Sequence, residues 1–129
     1  RSRLRRYPNI VLAGPVNPVE LPDYLFACDV LFDLFHADTK GSDIIPPRMY
    51  EYLASGKPIV TMIDPDQVEP FPDVVYTAYD SAGFVRRCRR ALEEESSLAA
   101  PRRQNYARNA SWASRAKDAL EILDRAGLF

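Results

Sequence analysis

A three-layer α/β fold, a parallel sheet with helices on both faces, is the class this sequence predicts. Its short apolar runs are mostly continuous rather than alternating, which is how strands read when both faces are covered. Segments of helical periodicity separate those runs one by one, the pattern of right-handed βαβ units. The length, 129 residues, is enough to bury one core and too little for two.

The first strand is expected at Asn9-Ile10-Val11-Leu12-Ala13, a β-rich run closed by Gly14-Pro15. A helix over 21–28 follows, with Leu21, Leu25 and Cys28 at helical spacing, and then a second strand over 30–35. The next helix, 47–55, carries Met49, Tyr50, Leu53 and Ala54 and stops at Gly56, a residue suited to the left-handed C′ position. Strands over 58–62 and 74–77 bracket the following loop. Asp80 is placed to cap a helix over 81–94 whose apolar side holds Phe84, Val85, Cys88, Ala91 and Leu92. Pro101–Ala110 reads as a shorter helix before the final one. Ser111 caps the last, 112–125, with Trp112, Ala116, Ala119, Leu120 and Leu123 on one side. Residues 1–8 read as a linker or tail, and 9–129 as part of one domain. Four strands are few for a sheet covered on both faces, so a piece of a longer protein is expected.

Composition narrows the function. The chain has 17 Lys+Arg against 18 Asp+Glu, a net charge of −1, so it lacks the basic excess of a general nucleic-acid binder. Apolar residues at 47% and charged residues at 27% give an ordinary globular balance. The best apolar run, Tyr24–Phe35, is interrupted by Asp29 and Asp33 and falls short of the ~20 residues of a membrane span. The two cysteines, Cys28 and Cys88, form neither a disulfide framework nor a metal site. With no apolar stretch behind Arg1–Arg6 to serve as a signal peptide, an intracellular domain is expected.

In an open parallel sheet, ligands bind beyond the carboxyl ends of the strands. Of the loops there (Gly14–Glu20, His36–Pro46 and Ile63–Asp73), the middle one is long, polar and runs directly into a helix N-terminus, a natural anion site. Pro46 and Pro47 lack N–H groups, so a phosphate there would be held by the amides around Ile44 and Ile45 and by the Arg48 side chain. Arg48 and Glu51 lie three apart on one helix side. Spacing alone also allows an exposed i,i+3 ion pair between them.

The stretch Gly41-Ser42-Asp43-Ile44-Ile45-Pro46-Pro47-Arg48-Met49-Tyr50-Glu51-Tyr52-Leu53-Ala54-Ser55-Gly56-Lys57-Pro58-Ile59-Val60 resembles the donor-binding motif of retaining GT-B glycosyltransferases of the family-4, group-1 type. Asn9–Val16, Glu20–Leu25, Cys28–Val30, Asp73–Tyr76, Phe84 and Asn109–Trp112 resemble further elements in the expected order, over residues 8–126. The resemblance implies a Rossmann-like fold, the later part of a GT-B donor domain, and transfer of a hexose from a nucleoside diphosphate sugar to a glycan or lipid-linked acceptor. It places Glu51 on the ribose hydroxyls and Asp43, where the family often has Glu, as the catalytic acidic residue toward the sugar. Ile44 and Ile45 would offer amides to sugar and phosphate, and Arg48 a cation to the diphosphate. It implies no cofactor and no protein-bound metal. The acceptor-binding N-terminal domain is absent from these residues, which predicts that the chain alone is inactive.

Other features are read conservatively. His36, Asp38 and Asp43 share a loop without a defined metal-ligand spacing. Gly56-Lys57 is no P-loop, because Pro58 stands where Ser or Thr is needed. Arg86-Arg87-Cys88-Arg89-Arg90 reads first as a solvated helix face and second as a contact for an anionic membrane surface, which would put the protein at the inner face of the membrane. Trp112 is expected as a packing anchor. Two other readings compete: a non-catalytic flavodoxin- or receiver-like module, against which the Ala13-Gly14-Pro15 turn argues, and a GT-B-type sugar epimerase.

Overall fold

The structure is a computed structural model that describes residues 3–34, 45–62, 71 and 73–128. Its elements run α1 (Leu21–Ala27), β1 (Leu31–Asp33), α2 (Pro47–Ser55), β2 (Ile59–Thr61), β3 (Tyr76–Thr77), α3 (Ser81–Leu92), α4 (Ser96–Asn109) and α5 (Trp112–Arg125). A short 3-10 turn, Leu4–Arg6, precedes them. The strands form one parallel sheet in the order β1-β2-β3. Leu31 pairs with Ile59, Asp33 with Thr61, and Thr61 with Thr77.

The two faces of the sheet are covered by different helices. Ile59 meets Met49 and Leu53 of α2 together with Phe71 and Val74, and Tyr106 and Ala107 of α4 pack against that cluster. Met49, Leu53, Ile59 and Val60 are completely buried. On the other face Phe32 meets Phe84 of α3 edge-on, ring centroids 5.2 Å apart. Helix, sheet, helix is the layering expected.

The local signals act where the sequence puts them. Gly56 ends α2 at φ 75° and its N–H bonds to the Leu53 carbonyl at 3.1 Å. Asp80 Oδ1 accepts from the Gly83 N–H, and Ser111 Oγ from the Ser114 N–H.

Two expectations are corrected. Residues 9–13 form no strand, and Val11 is 89% exposed. A strand is stable only beside a hydrogen-bonding neighbour, and among the described residues this run has none, whatever its composition. The helix expected from Pro101 begins instead at Ser96, with Pro101 inside it. An internal proline costs a helix about 3 kcal/mol, yet Ala100 packs against the Gly56 turn here, and tertiary packing overrides the local preference. Elsewhere the differences lie at element ends. The strand expected over 30–35 covers Leu31–Asp33, with Phe35 outside the described residues, and that over 74–77 shortens to Tyr76–Thr77.

Candidate functional site

β1 ends at Asp33, and α2 begins near that end. Pro46 precedes α2 in an extended conformation (φ −59°, ψ 134°), as a residue followed by proline must. Ile45, half-buried, leads into it and packs on the core cluster. Pro47 occupies the first helical turn, where its missing N–H leaves no bond unmade.

Arg48 projects from that turn toward the sheet. Its Nε donates to Asp33 Oδ1 at 2.6 Å. The Asp33 side chain is 1% exposed and that of Arg48 45%, so a buried carboxylate holds a cation that still faces solvent. This contact anchors the Arg48 side chain to the end of β1.

Glu51, less than one turn further along α2, is exposed. It borders two grooves. The larger, about 630 Å³, lies between α2 and the α4–α5 junction and is lined by Ile45, Pro47, Tyr50, Glu51, Ala54, Ala107, Ala110, Ser111, Trp112 and Arg115. The smaller, about 290 Å³, lies against α1 and includes Pro18, Leu21, Leu25 and Phe26. Arg115 Nη2 donates to the Tyr50 hydroxyl at 3.3 Å across the larger groove. Tyr52, on the next position of α2, is half-buried. Burial and the nearby Asp33 charge raise its phenol pKa above the ordinary value, against the opposing pull of Arg48.

The structure therefore places Ile45 and Arg48 at the start of α2, near the carboxyl end of β1, and Glu51 at the middle of the helix beside both grooves. Asp43 and Ile44 lie outside the described residues, as do His36 and Asp38. A carboxylate beside an open groove accepts hydrogen bonds from hydroxyl groups, and a guanidinium binds phosphate oxygens. Among the described residues no group of three His, Cys, Asp or Glu side chains is placed to hold a metal ion. None of the described helices is long and apolar enough to cross a membrane.

A family model described as glycosyl transferase-like matches residues 2–121. The chain belongs to this family. It is 26% identical over 115 residues to the putative teichuronic acid biosynthesis glycosyltransferase TuaH of Bacillus subtilis (strain 168), an alignment covering 86% of the chain and 29% of TuaH. The chain thus spans less than a third of that relative's length. No solved structure matches. The α/β layering with its parallel sheet is consistent with a Rossmann-like fragment of a glycosyltransferase.

Sequence reasoning missed two residues at this end of the sheet. Asp33 entered it only as a break in an apolar run, although a charge inside a continuous buried strand is itself a signal. Trp112, expected as a packing anchor, is 91% exposed on the groove wall. It opens α5 at the groove, where its ring is left uncovered.

Proposed function

We propose that this chain is the nucleotide-sugar-binding part of a retaining GT-B glycosyltransferase. The whole enzyme transfers a hexose from a nucleoside diphosphate to a glycan or lipid-linked acceptor, and acts on the cytoplasmic side of the membrane. The observation that carries this reading is the placement of Glu51 beside an open groove, on the helix whose first turn holds Arg48 against Asp33 at the carboxyl end of β1. Glu51 accepts hydrogen bonds from the vicinal ribose hydroxyls, and Arg48 and the amide of Ile45 face the diphosphate. Asp43 is assigned toward the sugar. As the glycosidic bond breaks, negative charge grows on the departing diphosphate, so stabilising it is the main contribution of this part of the enzyme. The acceptor wall is supplied by a second domain. The name of TuaH supports a polysaccharide as the acceptor class.

The test is Glu51→Gln in the full-length enzyme. Loss of a charged acceptor costs about 1.5–3 kcal/mol of donor binding, so donor use should fall at least tenfold with the fold intact. Unchanged kinetics would remove Glu51 from the site. The isolated 129-residue chain should show no turnover on a panel of nucleotide sugars and acceptors, because the cleft has one wall.

A further inference from the structure

We infer that the arginine face of α3, centred on Arg86, Arg87 and Arg90 with Tyr79 beside them, is a docking surface for the anionic phospholipid headgroups of a bilayer. The inference does not depend on the donor-site reading and concerns a different part of the molecule.

In the sequence, Arg86-Arg87-Cys88-Arg89-Arg90 is followed by Glu93-Glu94-Glu95, at the spacing where i,i+3 and i,i+4 pairs would neutralise the cations. The fold withdraws that neutralisation. α3 stops at Leu92, so Glu93 is its C-cap and Glu94 and Glu95 lie beyond it. Glu94 turns inward, its side chain 10% exposed, and both its oxygens are held by the buried Arg103. Glu93 reaches Arg90 only at 4.0 Å, with both side chains 70% exposed, a pair of little weight in water. Among the described residues, Arg86, Arg87 and Arg89 form no ion pair.

The cations also converge. Arg87 Nε donates to the Thr77 carbonyl at 3.1 Å, which draws this guanidinium back to the end of β3. There, with Arg86 and Arg90, it lines a groove of about 380 Å³. Asp80 is the one carboxylate among the lining residues, and its Oδ1 accepts from the Gly83 N–H as the cap of α3. Tyr79 lines the same groove and is 75% exposed. Arg86, Arg89 and Arg90, at i, i+3 and i+4, share the helix face opposite Phe84, whose ring meets Phe32 on the sheet. They extend the groove into one outward basic surface. In a chain of net charge −1 this is a local field, too confined for the extended track of a nucleic acid. Guanidinium groups match phosphate oxygens, and an exposed tyrosine suits the headgroup level of a bilayer. A leaflet of anionic lipids engages several such cations at once, whereas a soluble phosphate ester meets one or two.

The experiment uses the full-length protein and co-sedimentation with vesicles of phosphatidylcholine, either alone or with one-third phosphatidylglycerol. The wild type should bind the anionic vesicles, and added salt should weaken that binding. Each arginine near such a surface contributes about fivefold in affinity. The triple variant Arg86→Gln, Arg87→Gln, Arg90→Gln should therefore bind them about a hundredfold more weakly. Replacing the same three by Lys, which keeps the charge, should retain most of the binding. A control with the same loss of charge on α4 and α5, Arg108→Gln, Lys117→Gln, Arg125→Gln, should bind as the wild type does. Equal losses in the two Gln triples would overturn the assignment, as would neutral vesicles bound as tightly as anionic ones. So would a wild type that binds neither. Displacement of the wild type by soluble glycerol 3-phosphate would mean a discrete phosphate site and would also overturn it. The three arginines are exposed, so the fold should hold. Should the triple variant fail to fold, Arg86→Gln and Arg90→Gln singly should each cost about fivefold, and no loss in either overturns the proposal.

Discussion

Arg103 holds Glu94 with both terminal nitrogens, each 2.6 Å from a carboxylate oxygen. The guanidinium is 1% exposed, and its remaining bonds go to backbone: Nε to the Val74 carbonyl at 2.8 Å and Nη1 to the Gly56 carbonyl at 3.2 Å. The Tyr76 hydroxyl completes the set by donating to Glu94 Oε2 at 2.8 Å. One side chain of α4 thereby ties β3, the C-cap of α2 and the α3–α4 connection together.

Arg103→Met leaves Glu94 with its main partner gone and two carbonyls unanswered. The expected cost is about 3–5 kcal/mol, read by urea denaturation of the full-length protein. Tyr76→Phe removes a single hydrogen bond and should cost about 1 kcal/mol. Equal stabilities for Arg103→Met and wild type would mean that the pair contributes nothing net.

The same pair sets an acid limit. Burial pushes the Glu94 carboxyl up, but hydrogen bonds from Arg103 and Tyr76 and the guanidinium charge outweigh it and hold the carboxyl below its usual range. The unfolded chain therefore binds this proton more readily than the folded one. The contribution is complete above the unfolded value, about 4.3, and is lost as pH falls through the lower folded value. Melting temperatures followed downward from pH 6 should show this loss in wild type and a shallower slope in Glu94→Gln.

Gly56 and Gly127 offer a paired test. Both have positive φ, 75° and 68°. A Cβ on Gly56 would meet the Ala100 Cβ at 3.0 Å, whereas one on Gly127 would meet nothing within 4 Å. Gly127→Ala should cost only the left-handed penalty, about 1 kcal/mol. Gly56→Ala should cost more, because α4 must also move off α2, and thermal melts of the two variants will rank them.

Trp112 is the only tryptophan of the chain and is 91% exposed. In the isolated chain its fluorescence should have the red-shifted maximum of indole in water and be quenched fully by iodide. Trp112→Ala should change stability by less than about 0.5 kcal/mol. A blue-shifted, shielded emission would show that the groove wall is covered.

Much of this fold was legible because its signals are local. The spacing of Met49, Leu53 and Gly56 marks α2 to the residue, and Asp80 and Ser111 mark two helix starts. Residues 9–13 were misread because strand formation depends on a neighbour, which composition does not encode. Arg103 was invisible for a related reason. Arg102 and Arg103 look alike in sequence, yet Arg102 pairs with Asp73 at the surface while Arg103 is buried. Only the packing of α4 on the sheet separates them. Arg48 was singled out at the loop-to-helix junction, and Glu51 by the resemblance to the glycosyltransferase motif. Asp33 was not, since its link to Arg48 closes across fifteen residues of chain.

Helix α2 is the crossover that joins β1 to β2. Glu51 and Arg48 therefore do not ride on a loop appended to a finished scaffold. Until β1 and β2 find their parallel register, a contact between strands 28 residues apart (Leu31 with Ile59), the helix has no sheet to lie on and Asp33 cannot reach Arg48. Such non-local pairing is slow, because loop closure must precede any gain from it. The site is thus assembled in the same kinetic step as the sheet, and variants that delay β1–β2 pairing should delay recovery of ligand binding on refolding by the same factor.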